Sequence, residues 1–435
     1  MQRKTAPPQD DFGRAEVLLG RSVAAFRHGD YPEAVTHARD GLELIRNAAD
    51  DAPRWAVLHD KLSLQLIEVY QRQGNLDATQ EALDTWKAAT QRPEGQVDIL
   101  AQSARLTYRR GDFATARRLL DEGASLSQKA GYAFGLAQVL RIRAEMLWVT
   151  GEIDQALPLA QQALSIFERL DHNEGKARTL NAIGVIYMLG GNYYPAITHW
   201  LRAINIAETL NDHIALATIS SNLGEAYQQI YAMRTALFYH QRALEMSGDN
   251  PSVDLLRNLG VDLIATGETE EGLRYLNTAL EKARANGDVD QTLQVLTSLA
   301  HTALDAGQAG YALQLGLEIL TTSQPRNLVR HIIRAELILG NAARATGDLD
   351  AAMEYFHEAF LATQQTTDRA LIWQTHAALA DIYAERDAEK ATMHHGIAAE
   401  ILSNVAQSIG DPDLRDQFVR APAVAKVLGA PATKA

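Results

Sequence analysis

One turn signal recurs along the chain at a nearly constant interval, and a fixed interval of this size restricts the fold more than any composition does. A glycine, mostly followed by a small or acidic residue, occurs at Gly29-Asp30, Gly74-Asn75, Gly111-Asp112, Gly151-Glu152, Gly191-Asn192, Gly267-Glu268, Gly307-Gln308 and Gly347-Asp348. The intervals are 45, 37, 40, 40, 76, 40 and 40 residues. The 76 is two periods, with Tyr231 in the glycine position of a degenerate copy, and Arg386 holds that position in a last one. The pattern predicts ten units.

Three further columns keep the same register. Five residues after each turn position stand Ala34, Thr79, Ala116, Ala156, Ala196, Ala236, Gly272, Ala312, Ala352 and Ala391, all small. Seven before it, only Ile67 and Leu379 break a run of Ser, Ala and Gly that includes Gly184, Gly224, Gly260 and Gly340. Twelve after it, only Trp86 and Ile319 are large. Apolar residues recur at helical spacing on both sides of Gly191, with no strand-like alternation. Each unit therefore reads as two helices joined by a turn that favours glycine, and the small columns mark where helices cross at close range. Pro32 and Pro195 fall in the first turn of a second helix, where the missing N–H has no intrahelical partner.

Composition sets limits on function. The 435 residues are 46% apolar and 22% charged, enough to build a core. A net charge of −13 argues against phosphate backbones and anionic lipid as partners. The absence of cysteine removes disulfides, thiolate metal sites and thiol nucleophiles, and fits a reducing cytoplasm. No run is apolar enough to cross a membrane, and the start, MQRKTAPPQDD, has no apolar stretch of a signal peptide. A soluble, intracellular protein is expected.

Glycine at the turn, small residues seven before and five and twelve after, and Tyr187 or Tyr227 four before, resemble the tetratricopeptide repeat over residues 14–400. The family's commonest unit is about 34 residues; units near 40 are similar to the longer-helix variety of kinesin light chain, bacterial peptide-sensing regulators and the sensor arrays of large ATPase-type transcription activators. The resemblance implies an all-α, right-handed superhelical solenoid of about ten helix-turn-helix repeats, first helices lining a concave face. Residues 1–13 are expected to be disordered, and residues 401–435 to form a capping helix and tail, with one amphipathic helix, a break at Asp411-Pro412, then a short helix.

Enzyme motifs are missing: there is no GxGxxG after a strand, no GxSxG and no HExxH. Glu174-Gly175-Lys176 lacks the leading glycine of a phosphate loop. His394-His395, with His376 or Asp387, is a weak metal candidate against a solvent-facing pair, and Trp148, Trp200, Tyr187 and Tyr227 fit packing between helices better than a cofactor cage. No cofactor and no metal are expected. Corresponding positions on the first helices of units three to seven give a candidate inner wall. Units three to five contribute Arg105, Tyr108, Arg109, Gln138, Arg141, Glu145, Trp148, Arg178 and Asn181, and units six and seven Asn222, Glu225, Gln228, Arg257 and Asn258. Arginine forks suit carboxylates and asparagine amides suit an extended backbone, so this set reads as a peptide groove with a basic end. Asn181, Asn222 and Asn258 also resemble the groove asparagines of related peptide-binding arrays. The plainer alternative is that asparagine bridges helices and arginine pairs with nearby Glu. The expected function is a non-catalytic adaptor or regulatory subunit that binds a protein segment or peptide. The rivals are a peptide-responsive sensor acting on a separate effector chain, an enzyme or cofactor carrier, and self-assembly.

Overall fold

The computed structural model describes residues 10–46, 52–150, 152–248 and 251–429. Among them are twenty-two α-helices and no strand. The first twenty pair off as hairpins, numbered one to ten: α1 (Asp11–His28) with α2 (Tyr31–Ile45), α3 (Ala52–Arg72) with α4 (Leu76–Ala89), α5 (Pro93–Arg109) with α6 (Phe113–Ala130), α7 (Ala133–Val149) with α8 (Ile153–Arg169), and α9 (Asn173–Leu189) with α10 (Tyr193–Thr209). The series continues with α11 (His213–Gln229) and α12 (Met233–Met246), α13 (Val253–Ala265) and α14 (Thr269–Ala285), α15 (Val289–Asp305) and α16 (Ala309–Ser323), α17 (Val329–Ala345) and α18 (Leu349–Thr363), and α19 (Arg369–Tyr383) and α20 (Ala388–Ser408). The short helices α21 (Pro412–Arg420) and α22 (Pro422–Leu428) follow. The chain forms two compact bodies, the first reaching to Leu189 together with Thr198–Ile219, the second Gly190–Ile197 together with the chain from Ser220 onward.

The turns follow from the local chemistry. Gly29 sits at φ +84°, its N–H bonding the carbonyl of Phe26 at 3.1 Å while Asp30 N–H bonds that of Ala25 at 2.9 Å, the paired closure that needs a left-handed residue. The same aspartate then accepts from Glu33 N–H at 3.0 Å and so starts α2. Asn75, Asp112 and Asp348 cap the next helix in the same way. Gly151 lies outside the described residues. Arg386 makes a different turn, without a left-handed residue. A second set of turns, between hairpins, repeats the same device: Gly131, Asp171 and Asn211, then Gly287 and Asn327, all have positive φ.

The small columns are holes for large side chains. The glycine seven before the turn receives the residue nine after it: a Cβ on Gly184 would lie 2.4 Å from Trp200 Nε1, one on Gly224 2.4 Å from His240, and one on Gly340 2.4 Å from Phe356. Trp200 is buried and its Nε1 donates to the Asn181 carbonyl at 3.2 Å, so the ring has no room to retreat. Gly184→Ala is therefore expected to destabilise by about 1 to 3 kcal/mol through overpacking, although alanine is the better helix former. Gly396, inside α20 with nothing within 4 Å of an added Cβ, gives the opposite sign: Gly396→Ala gains up to about 1 kcal/mol. Thermal melts of the two variants read the contrast. Trp86 breaks the column twelve after the turn because it is a buried polar anchor, its Nε1 donating to Asp60 at 2.7 Å while Arg92 holds the other carboxylate oxygen at 2.9 Å.

Two end expectations need correction. Asp10 caps α1, which starts at Asp11, so residues 11–13 are helical; residues 1–9 lie outside the described set. No separate capping helix begins near 401, because α20 runs unbroken for 21 residues to Ser408; the break at Asp411-Pro412 is present, followed by two short helices in place of one. Among the described residues no helix is long and apolar enough to cross a membrane.

Candidate functional site

In the first body the predicted residues of hairpins three to five come together, and three of their four arginines are paired with carboxylates. Glu145 accepts from Arg105 at 3.0 Å, from the Tyr108 hydroxyl at 3.3 Å and from Arg141, which also donates to Gln138 at 2.8 Å. Arg178 grips both oxygens of Glu68 at 2.9 and 3.0 Å and reaches Glu174 at 2.6 Å. Arg109 donates to the Gln71 carbonyl at 2.8 Å. Burial opposes the ionisation of Glu68 and Glu145, yet the facing arginines override it and hold both carboxyls below their ordinary values. Burial pushes Arg141 down to about 10. The expected basic end is thus not free: three guanidinium groups face Glu68, Glu145 and Glu174. Glu68, absent from the sequence-based set, stands six residues before its turn, in the column of Arg105 and Glu145. Trp148 is half-buried on α7 outside this network.

The second body has a different interior. A cavity of about 1050 Å³ is lined by side chains from the first helices α11, α13, α15, α17 and α19, and bounded by α20, α21 and α22. Of the predicted residues, Glu225, Gln228 and Arg257 line it, while Asn222 and Asn258 do not. Asn258 is buried in the wall, its carbonyl accepting from Gln228, whose amide also donates to Asp262 at 2.6 Å. Behind it Asp262 meets His240 at 2.5 Å, both shut off from solvent. Most of the lining residues that sequence reasoning missed lie on hairpins eight to ten, which the expectation left out. Gln294, Arg334 and Trp373 stand thirteen before their turn positions, the column of Gln138 and Arg178, and His301 stands six before, the column of Glu145.

The cavity carries both signs, Arg257, Arg330, Arg334 and Arg369 with Glu225, Asp290 and Asp305, but not every charge is paired. Arg330 pairs with Asp368 at 2.7 Å, and Asp290 is taken by His331 at 2.7 Å and Gln294 at 2.7 Å. Arg257, Arg334 and Arg369 have no carboxylate within ion-pair distance among the described residues. Arg257 Nε is buried without a hydrogen-bond partner. Burial, then Arg330, with Arg257 beyond, holds the Arg334 guanidinium below its ordinary value. A carboxylate brought beside such arginines would relieve their repulsion and satisfy their N–H groups.

The other candidates resolve plainly. His394 is buried and not solvent-facing as expected: its Nδ1 lies 2.8 Å from His376 Nδ1, and its ring stacks on Tyr383; only His395 of the pair is exposed. No three His, Asp or Glu side chains converge to hold a metal among the described residues. Trp200 and Tyr227 are packing residues, Tyr227 stacked on Tyr239 with centroids 5.5 Å apart and Tyr187 tilted on His199.

Models of the tetratricopeptide repeat match residues 175–248, and residues 101–122 with 137–162. The matched residues lie in hairpins three to six, which the models describe as tetratricopeptide repeats. An uncharacterised protein, ycf37 of Guillardia theta, is 27% identical over 113 residues, 26% of this chain and 62% of its own length, so the match spans less than two thirds of that relative. Among solved structures, the apo quorum sensor NprR of B. thuringiensis shares 13% identity, with 80% of this chain and 99% of that chain covered and a TM-score of 0.55. Apo RapI shares 13% identity over 81% of this chain and 98% of its own, also at 0.55. A signal-transduction ATPase of Pyrococcus horikoshii with a tetratricopeptide repeat sensor shares 16% identity over 87% of this chain and 57% of that one, at 0.52. At these identities the likeness is one of fold. Tetratricopeptide arrays are in general interaction scaffolds, and the repeats support a protein-interaction role here.

Proposed function

We propose that the protein is a cytoplasmic adaptor or regulatory subunit that captures an acidic peptide or protein segment in the cavity of its second body. The observation that carries the reading is the contrast between the two bodies. Equivalent columns hold arginines in both, but Arg178 is gripped by Glu68 in the first, whereas in the second Arg257 and Arg334 line a cavity with no carboxylate within ion-pair distance among the described residues, although Glu225, Asp290 and Asp305 share its wall. The volume, about 1050 Å³, matches the upper end of ordinary ligand sites and suits a short stretch of chain. Trp373, Val261 and Ile264 supply apolar wall between the charges.

The test is fluorescence anisotropy of the full chain with two labelled octapeptide pools, one rich in Asp and Glu and one rich in Lys. The acidic pool is expected to bind and the basic pool not to. Arg334→Ala is expected to weaken binding by about 1.5 to 3 kcal/mol, the range of a charge-assisted hydrogen bond, whereas a variant that binds the acidic pool as tightly as the parent removes the reading. A second reading, a sensor that passes ligand capture to a separate effector chain, draws on the fold shared with the quorum sensor NprR and the repeat sensor of the Pyrococcus horikoshii ATPase. A ligand-dependent change in hydrodynamic radius with no second chain present is its mark.

A further inference from the structure

Seven described turn positions carry a left-handed glycine, and the hairpin of α11 and α12 carries Tyr231 there, at φ +59°. An aromatic residue is rarely held in that region, and where one is, the surroundings use it. The use is visible. The Tyr231 ring lies 6.1 Å from that of Phe418 on α21, and its carbonyl accepts a hydrogen bond from the Gln417 amide at 3.4 Å. Phe418, almost wholly buried, lines the cavity together with Ala423 of α22. Just before α21 the chain bends so closely past Tyr194 that a Cβ on Gly410 would sit 2.7 Å from that ring. At the far end of the cover Lys426 pairs with Asp381.

What holds this cover is little. The helix α21 has nine residues and α22 seven, too short to persist unaided. Their buried side chains are Phe418, Val424, Ala425 and Val427. A segment with so few apolar contacts opens at lower cost than the hairpins beneath it. We infer that α21 and α22 form a lid over the cavity, latched on Tyr231, and that its release admits the captured segment. The inference rests on the cavity being the binding site, and it gives a physical reason for the one described hairpin turn that keeps its left-handed backbone without glycine.

Tyr231→Gly restores the residue the other hairpins use, so the turn and its carbonyl are kept while the ring contact with Phe418, the side-chain part of the latch, is lost. Hydrogen exchange of the full chain is expected to quicken about tenfold or more across α21 and α22 and to stay unchanged from α13 to α18. Because the chain has no cysteine, the pair Tyr231→Cys with Gln417→Cys gives a clean lock. Oxidation is expected to slow association of the labelled acidic pool about tenfold or more, and dithiothreitol to restore it. Unchanged exchange in Tyr231→Gly, exchange quickened throughout the second body, or an oxidised lock that passes peptide as fast as the reduced form overturns the lid. A pool that binds neither redox form overturns the cavity as a site, and the exchange result separates that failure from a failure of the latch.

Discussion

Glu145→Ala is expected to cost the first body about 3 to 5 kcal/mol, the range found when one partner of a buried ion pair is removed. Three donors lose their acceptor together: Arg141, with a side chain only 2% exposed, Arg105 and the Tyr108 hydroxyl. Water does not replace the carboxylate easily, since the side chains of Arg105 and Glu145 are only 12% and 15% exposed. Arg141 is already pushed below its ordinary value by burial, with Glu145 its strongest support. Urea unfolding measures the loss, and Glu145→Gln separates charge from volume, because it keeps an acceptor oxygen and is expected to fall between parent and alanine. A loss under about 1 kcal/mol, the value of an exposed pair, would show that the network adds nothing to the stability of the body.

Acid is expected to loosen the last hairpin. His376 and His394 share one proton across the 2.8 Å between their Nδ1 atoms, one ring donating and the other accepting. A second proton would set two donors face to face. Burial, then His394, pushes His376 down to about 4, and burial, then His357 and Lys390, lowers His394 as well. The unfolded chain takes up protons near the ordinary value of 6.5, so between 6.5 and about 4 the unfolded state binds more protons and stability falls as pH falls. Above that window the effect is absent. For His376 the loss amounts to roughly 2 to 3 kcal/mol at the acid end. His59, His301 and His331 shift in the same sense, so the pair is isolated by comparison: His376→Gln is expected to flatten the difference between urea midpoints at pH 7 and pH 5. An unchanged difference would place the acid sensitivity elsewhere.

The hairpins were legible because two physical needs repeat with one period: a left-handed residue to reverse the chain and a hole to receive a large side chain. The second turn column was equally present, as Gly131, Asp171, Asn211, Gly287 and Asn327, but three residue types share it, so no single letter recurs. The inner wall was legible by column and misread by charge. Arg105, Arg141 and Arg178 stand where expected, yet their neutralisation depends on Glu68, from a hairpin not counted, although it shares the column of Glu145. The cavity was half read for the same reason, since Arg257 was named and Arg334, two hairpins on, was not. His394 and His395 are identical as letters, and helical rotation alone turns the first inward. Nothing in the sequence marked Gln417 and Phe418 as partners of Tyr231, because the hydrogen bond from Gln417 already joins positions 186 residues apart.

In most arrays of this kind each hairpin touches only its neighbours, and copies can be gained or lost one at a time. The bidentate grip of Arg178 on Glu68 skips from the fifth hairpin to the second. Deleting or duplicating a copy between them would strand a guanidinium on one side and a carboxylate on the other. Within that stretch the count of hairpins is fixed by charge, and a family that lengthens or shortens there must first lose the pair.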